Sequence, residues 1–147
     1  VESANSRNFS HVTQEEIADV DWLIRVSDYG LIWNYQNALT FDFPSLQEGF
    51  GFTPLETIAC RRPVLLSRAT SIPEVVGLDI DLADSSDSGT APYFEPMGEA
   101  DIAGVTEKAF RSDEDTMLRW RENVIDRASR FSWTAIAEKT EAILEML

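Results

Sequence analysis

The sequence predicts an α/β fold in which a parallel sheet is flanked by helices and a set of helices closes the chain. Three observations carry this. Leu39-Thr-Phe-Asp-Phe43 alternates and reads as a strand ending at Pro44, and Val64-Leu65-Leu66 is a short apolar strand bounded by Pro63 and Ser67. Between them, Thr53-Pro54-Leu55-Glu56 opens a helix that continues with apolar residues at Ile58 and Ala59. Strand, helix and strand in succession form a βαβ unit, whose strands run parallel and whose crossover is right-handed.

The remaining elements follow in order. Residues 1–12 are polar and unpatterned and read as an irregular lead-in; Asn8-Phe9-Ser10 matches a glycosylation sequon, which a cytosolic protein would not use. Thr13 to Ile17 has N-cap character and suggests a short helix. Trp22 to Val26 reads as a buried strand. Ser27 or Asp28 can cap a helix through Leu31, Ile32, Tyr35 and Leu39, which Gly30 in its first turn weakens slightly. Ser71-Ile-Pro-Glu74 has the form of a capping box opening a short helix that Gly77 ends. Asp79 to Pro92, rich in Asp, Ser and Gly, reads as an exposed loop, and Tyr93 to Pro96 as a short last strand. Ala100–Phe110 and Asp115–Arg130 are amphipathic helices, the second with Leu118, Val124, Ile125 and Ala128 on one side. Ser132 caps a final helix whose stripe is Ile136, Ile143, Leu144 and Leu147; both stripes read as core.

Composition sets bounds. A chain of 147 residues is about one domain, and 44% hydrophobic residues suit a globular core rather than a disordered segment. The net charge of −14 argues against nucleic acid and against an anionic membrane surface as partners. Cys60 is the single cysteine, so no intrachain disulfide can form, and no base beside it in sequence suggests a reactive thiol. No metal-ligand spacing occurs, and no apolar run is long enough to span a bilayer.

The densest chemistry lies in Glu48-Gly-Phe-Gly-Phe-Thr-Pro-Leu-Glu56. Gly49 and Gly51 bracket Phe50 and permit a turn with positive φ and close approach of a ligand to bare backbone. Thr53 as N-cap, Pro54 as first helical residue and Glu56 three after the cap have the form of a capping box. A helix start of this kind, fed by a strand, offers unpaired N–H groups and the positive end of a dipole, a setting suited to a nucleotide diphosphate. Glu56 keeps two readings here, because a capping-box Glu needs no substrate. Glu48 precedes the turn and caps nothing evident, but a solvated loop acid would look the same.

Further pieces flank the motif: Val26-Ser-Asp28, Tyr35-Gln-Asn-Ala38 and Phe43-Pro44-Ser45 before it, then Ala59-Cys60-Arg61-Arg62-Pro63-Val64, Ser71 to Gly77 and Phe131-Ser132-Trp133 after it. Together, over about residues 24–147, they resemble the C-terminal, donor-binding domain of GT-B retaining glycosyltransferases with the E-x7-E motif, family 4 in type. The resemblance implies a Rossmann-like sheet and transfer of a sugar from a nucleoside-diphosphate sugar to a sugar, glycan or lipid acceptor. It implies no cofactor and no metal, and a cytoplasmic setting. It divides the chain into a lead-in over 1–21, a partial sugar-nucleotide-binding domain over 22–112 and C-terminal helices over 113–147, and it makes 79–92 look like an insertion.

Carried over residue by residue, the resemblance assigns Glu48 to the donor sugar near the reacting carbon and Glu56 to the ribose hydroxyls. Backbone N–H groups of Gly49, Phe50 and Gly51 would bind sugar hydroxyls, Thr53, Pro54 and Leu55 would face the diphosphate, and backbone at Val26 would lie against the base. The chain departs from the family in having Arg61-Arg62 where a glycine and a small residue are usual; with Arg68 they would ease the acidic surroundings, though the pair is not expected to reach a ligand. The family's basic pair for the diphosphate and its whole N-terminal domain lie upstream of the matched region. The chain, which opens on Val1, therefore reads as part of a larger enzyme, expected to be inactive alone and to touch a membrane only through parts not present. The alternative is a non-catalytic GT-B-like module binding a partner subunit or a nucleotide. A plain dinucleotide-binding domain is disfavoured, since no G-x-G-x-x-G follows an early strand.

Overall fold

The structure, a computed structural model, describes residues 20–21, 23–77, 79–84 and 87–146. The sequon and the Thr13–Ile17 helix lie outside these residues, as does Trp22. The chain divides into two compact units, Val1–Asn34 and Tyr35–Leu147.

In the first unit the expected Trp22–Val26 strand does not form over its described residues, 23–26. Leu23 and Ile24 are half-exposed, and Arg25 takes a positive φ of 55°, which breaks an extended run. Helix α1, Asp28–Asn37, begins as expected: Ser27 caps it, its Oγ accepting from the N–H of Gly30 at 3.2 Å. It ends at Asn37, short of Leu39.

The second unit is built on three parallel strands in the order β1-β2-β3. They are β1 (Phe41–Phe43), β2 (Val64–Ser67) and β3 (Tyr93–Phe94). All four residues of β2 are buried, as befits the middle strand of a parallel sheet covered on both faces. β1 is shorter than the predicted strand because Leu39 turns outward in a bend. The connections are α2 (Phe52–Ala59) between β1 and β2, and α3 (Ile72–Val76) between β2 and β3. After β3 come α4 (Glu99–Phe110), α5 (Glu114–Ser129) and α6 (Trp133–Leu144). Among the described residues no helix is long and apolar enough to cross a membrane.

The core joins β2 to Ile58 of α2, Ile72 and Val76 of α3, Phe94 of β3, and Trp120 and Val124 of α5. α5 locks the loop regions as well as the core. Trp120 is fully buried and donates from Nε1 to Thr90 O at 2.9 Å. Arg127 donates from Nε to Val75 O at 2.8 Å and from Nη2 to Glu74 O, meeting carbonyls that the end of α3 leaves without helical partners. Of the predicted α5 stripe, Val124 is fully buried and Ala128 packs against the core, while Leu118 and Ile125 are exposed; Met117 and Trp120 complete the buried side.

Two further expectations are corrected. The stretch from Asp79 to Pro92 is not wholly exposed. Ile80, Leu82 and Ala91 are buried, and Asp79 pairs with Ala91 in a parallel bridge. Its acids stay outside while its few apolar residues reach the core. In α6, Ser132 is the N-cap as expected, but Ile136, Ile143 and Leu144 are all exposed, so their stripe is no core within the described residues.

Candidate functional site

The loop from Pro44 to Gly51 follows the carboxyl end of β1, and hydrogen bonds tie it to residues at and beyond the carboxyl end of β2. Ser67, the buried last residue of β2, donates to Ser45 O at 2.5 Å. The N–H of Glu48 donates to Thr70 Oγ1 at 3.0 Å, and the carbonyl of Glu48 accepts from Thr70 Oγ1 at 3.0 Å and from Ser71 Oγ at 3.2 Å. The Glu48 carboxylate, on a half-buried residue, accepts from Ser45 Oγ at 3.1 Å. In open parallel sheets the crevice outside the carboxyl ends of the strands is where ligands bind.

The capping box at Thr53 is not formed. α2 begins at Phe52, with Gly51 as N-cap in the left-handed region (φ 96°, ψ 49°) and no side-chain cap. A glycine meets that geometry without the penalty that a Cβ brings. Thr53 and Pro54 are therefore the second and third helical residues, and Glu56 the fifth. Pro is tolerated there because the first N–H groups of a helix have no intrahelical acceptor, so none is lost. Gly51, Phe52 and Thr53 are left as the N–H groups at the positive end of α2, and Leu55 N–H closes the first bond, to Gly51 O at 3.3 Å. Ser71 likewise caps nothing with its side chain; its hydroxyl goes to Glu48 instead.

The correction at Thr53 removes the structural explanation for Glu56. Its side chain is exposed and caps no helix. It borders an open cleft of about 360 Å³ with Phe50, Phe52, Phe131, Trp133 and Ile136. The aromatic rings form a chain: Phe50 and Phe52 at 4.8 Å between centroids, Phe50 edge-on to Phe131 at 6.2 Å, and Phe52 stacked with Trp133 at 6.3 Å. An apolar, aromatic wall with one carboxylate at its border suits a ligand carrying both ring faces and hydroxyl groups. The charge of Glu56 is felt nearby. Burial, and then that charge, push up both the Tyr35 phenol and the Cys60 thiol, so Cys60 is poorly suited to act as a thiolate nucleophile.

Gly49 and Phe50 lie in the exposed turn, Pro54 is buried, and Thr53 and Leu55 are half-buried. Val26 stands in the other compact unit, 38% exposed. The arginines are placed differently from one another. Arg61 and Arg62 follow the C-terminal end of α2, about 12 Å along the helix axis from its start. Arg62 donates to the carbonyl of Gln36. Arg68, just past β2, pairs with Asp79 and lies 5.1 Å over the Tyr93 ring. The hydroxyl residues Ser45, Ser67, Thr70 and Ser71 were not among the sequence candidates, nor was the cleft wall at Phe131 and Trp133. The available signal was the presence of small hydroxyl residues at or just after the ends of β1 and β2; none follows β3.

Sheet, glycine turn and helix start define a chain of the group 1 glycosyltransferase class. The profile of that family, glycosyl transferases group 1, matches residues 4–88, more than half of the chain, and the protein belongs to it. Among relatives, the serotype-specific mannosyltransferase WbdA of Escherichia coli is 35% identical over 112 residues, covering 76% of this chain and 12% of the relative. The O-antigen chain mannosyltransferase B of Escherichia coli is 33% identical over 125 residues, 82% of this chain and 29% of the relative. A D-inositol 3-phosphate glycosyltransferase of Corynebacterium jeikeium (strain K411) is 30% identical over 122 residues, 80% of this chain and 26% of the relative. The chain thus spans less than a third of the length of each of these relatives.

Proposed function

We infer that this chain is the donor-binding part of an enzyme that transfers a sugar, with retained anomeric configuration, from a nucleoside-diphosphate sugar to a sugar, glycan or lipid acceptor. The observation that carries this is the pair Glu48 and Glu56 on either side of a glycine turn and helix start at the carboxyl end of a parallel sheet. The two mannosyltransferase relatives, WbdA and mannosyltransferase B, favour mannose as the sugar.

Each residue then has a part. The Glu56 carboxylate accepts two hydrogen bonds from the vicinal hydroxyls of the ribose, a pairing that suits one carboxylate well. The N–H groups at Gly49, Phe50 and Gly51 hold sugar hydroxyls, and the start of α2 around Thr53, Pro54 and Leu55 faces the diphosphate. Its positive end favours the charge that builds on the leaving group as the glycosidic bond opens. Glu48, beside the sugar, stabilises the positive charge that the sugar ring acquires in an oxocarbenium-like transition state. Backbone at Val26 lies against the base. The other wall of the site, with the acceptor subsite, comes from a further domain of the full-length protein, and the basic groups for the diphosphate come from residues upstream of the matched region.

The test for Glu56 is its replacement by Gln in the full-length protein. Since Glu56 caps nothing, the change leaves the fold intact and removes the charge that holds the diol. The donor KM is expected to rise by roughly 5- to 30-fold, about 1–2 kcal/mol, with kcat changed little. An unaltered donor KM would remove Glu56 from the nucleotide site.

A further inference from the structure

We propose that Thr70, assisted by Ser71, is the positioning residue for Glu48, holding its backbone so that the carboxylate stays aimed at the donor sugar. The proposal rests on the reading of Glu48 given above. Its own observation is separate: the backbone polar groups on either side of one acidic residue are taken by side chains 22 and 23 positions away. The Thr70 hydroxyl accepts from the Glu48 N–H at 3.0 Å and donates its single proton to the Glu48 carbonyl at 3.0 Å. Ser71 Oγ adds a second bond to that carbonyl at 3.2 Å, using the other lone pair. Fixing the N–H and the C=O of one residue fixes both peptide planes beside it, and with them the direction in which its side chain leaves the backbone.

Two further features point the same way. Thr70 has φ 47°, in the left-handed region that a β-branched residue rarely enters. The loop accepts an unfavourable backbone conformation at the position whose hydroxyl makes the clamp. The far end of Glu48 is restrained as well: Ser45 Oγ shares its one proton between the Glu48 Oε1 at 3.1 Å and Gln47 O at 3.2 Å, and Ser45 is itself held by Ser67 at the buried end of β2. The glycine that follows Glu48 faces open space, where a Cβ would meet nothing within 4 Å. The loop is thus pinned at its acid and open beyond it. A loop acid left free would sample many directions, and displacement by about 1 Å can cost about a hundredfold in rate.

The experiment is steady-state kinetics on the full-length protein with Thr70→Val, Thr70→Ser, Glu48→Gln and the double variant Thr70→Val/Glu48→Gln. Valine keeps the shape and removes the hydroxyl; serine keeps the hydroxyl. Thr70→Val is expected to lower kcat by roughly 10- to 100-fold with little change in donor KM. Thr70→Ser should restore most of the rate. In the Glu48→Gln background, Thr70→Val should cost almost nothing more, since the group it positions is already disabled. Thr70→Val at the wild-type rate beside an impaired Glu48→Gln would overturn the positioning role alone, as would losses that multiply in the double variant. Glu48→Gln at the wild-type rate would instead remove the role of Glu48, and the proposal with it.

Discussion

Replacing Glu48 by Gln in the full-length protein is expected to lower kcat by roughly a hundredfold or more while the donor KM changes little. The asymmetry follows from where the charge develops. The sugar of the bound donor is neutral, and it acquires positive character only as the bond to the diphosphate opens. A carboxylate beside it therefore acts mainly in the transition state, and its loss appears in kcat rather than in binding. Removal of one well-placed electrostatic partner typically costs 10²- to 10³-fold in kcat. Gln preserves size and can still accept from Ser45 Oγ, so the loop keeps its restraint and only the charge is lost. Equal losses in kcat and KM from a destabilised loop are separated from this by the melting temperature, which should not move. A rise in donor KM with kcat intact would reassign Glu48 to ground-state binding.

The largest effect on stability is expected at Trp120. Trp120→Ala should destabilise the second unit by about 3–5 kcal/mol, read as a shift in the urea midpoint at unchanged slope. The side chain is fully buried on the face of α5, which packs on α2 and α3, and is among the largest in the core. Its Nε1–H also donates to Thr90 O, so truncation leaves a cavity and removes a buried hydrogen bond at once. The stretch 79–91 hangs on the same helix through Asn123, whose Nδ2 donates to Gly89 O at 2.8 Å. Proteolytic cutting between Asp79 and Ala91 should rise in step with the loss of stability. An unshifted midpoint would mean that α5 does not pack into the core as described.

Much of this architecture is legible in the sequence because parallel strands buried on both faces are short apolar runs, and Val64-Leu65-Leu66 is one. Trp22 to Val26 shows the limit of that signal. The same apolar character there forms no strand, because composition does not reveal a positive φ at Arg25. In α5 the predicted stripe holds at Val124 and Ala128, which meet the core, and fails at Leu118 and Ile125, since neighbouring positions are turned by about 100° and Met117 and Trp120 face inward instead. In 79–92 the acids hid Ile80 and Leu82, two apolar residues that are buried without any periodic pattern.

The site was legible as a segment but not as a construction. Thr53-Pro54-Leu55-Glu56 has the letters of a capping box, yet proline is accommodated anywhere among the first helical positions, and Gly51 sets the helix start instead. That shift turns Glu56 from a cap into a free carboxylate facing an aromatic cleft. The hydroxyl clamp on Glu48 left no local trace, because its partners come from the next βα loop and only the parallel pairing of β1 with β2 brings the two loops together.

The most direct test of the whole account is transfer itself, followed by NMR at the anomeric carbon of donor and product. The full-length protein is given UDP-, GDP- and ADP-activated mannose in turn, with a simple mannoside or lipid-linked acceptor. The account predicts transfer from one of these donors, with the product carrying the same anomeric configuration as the donor. Transfer with inverted configuration, or hydrolysis of none and transfer from none of the three while the protein is folded, would contradict it.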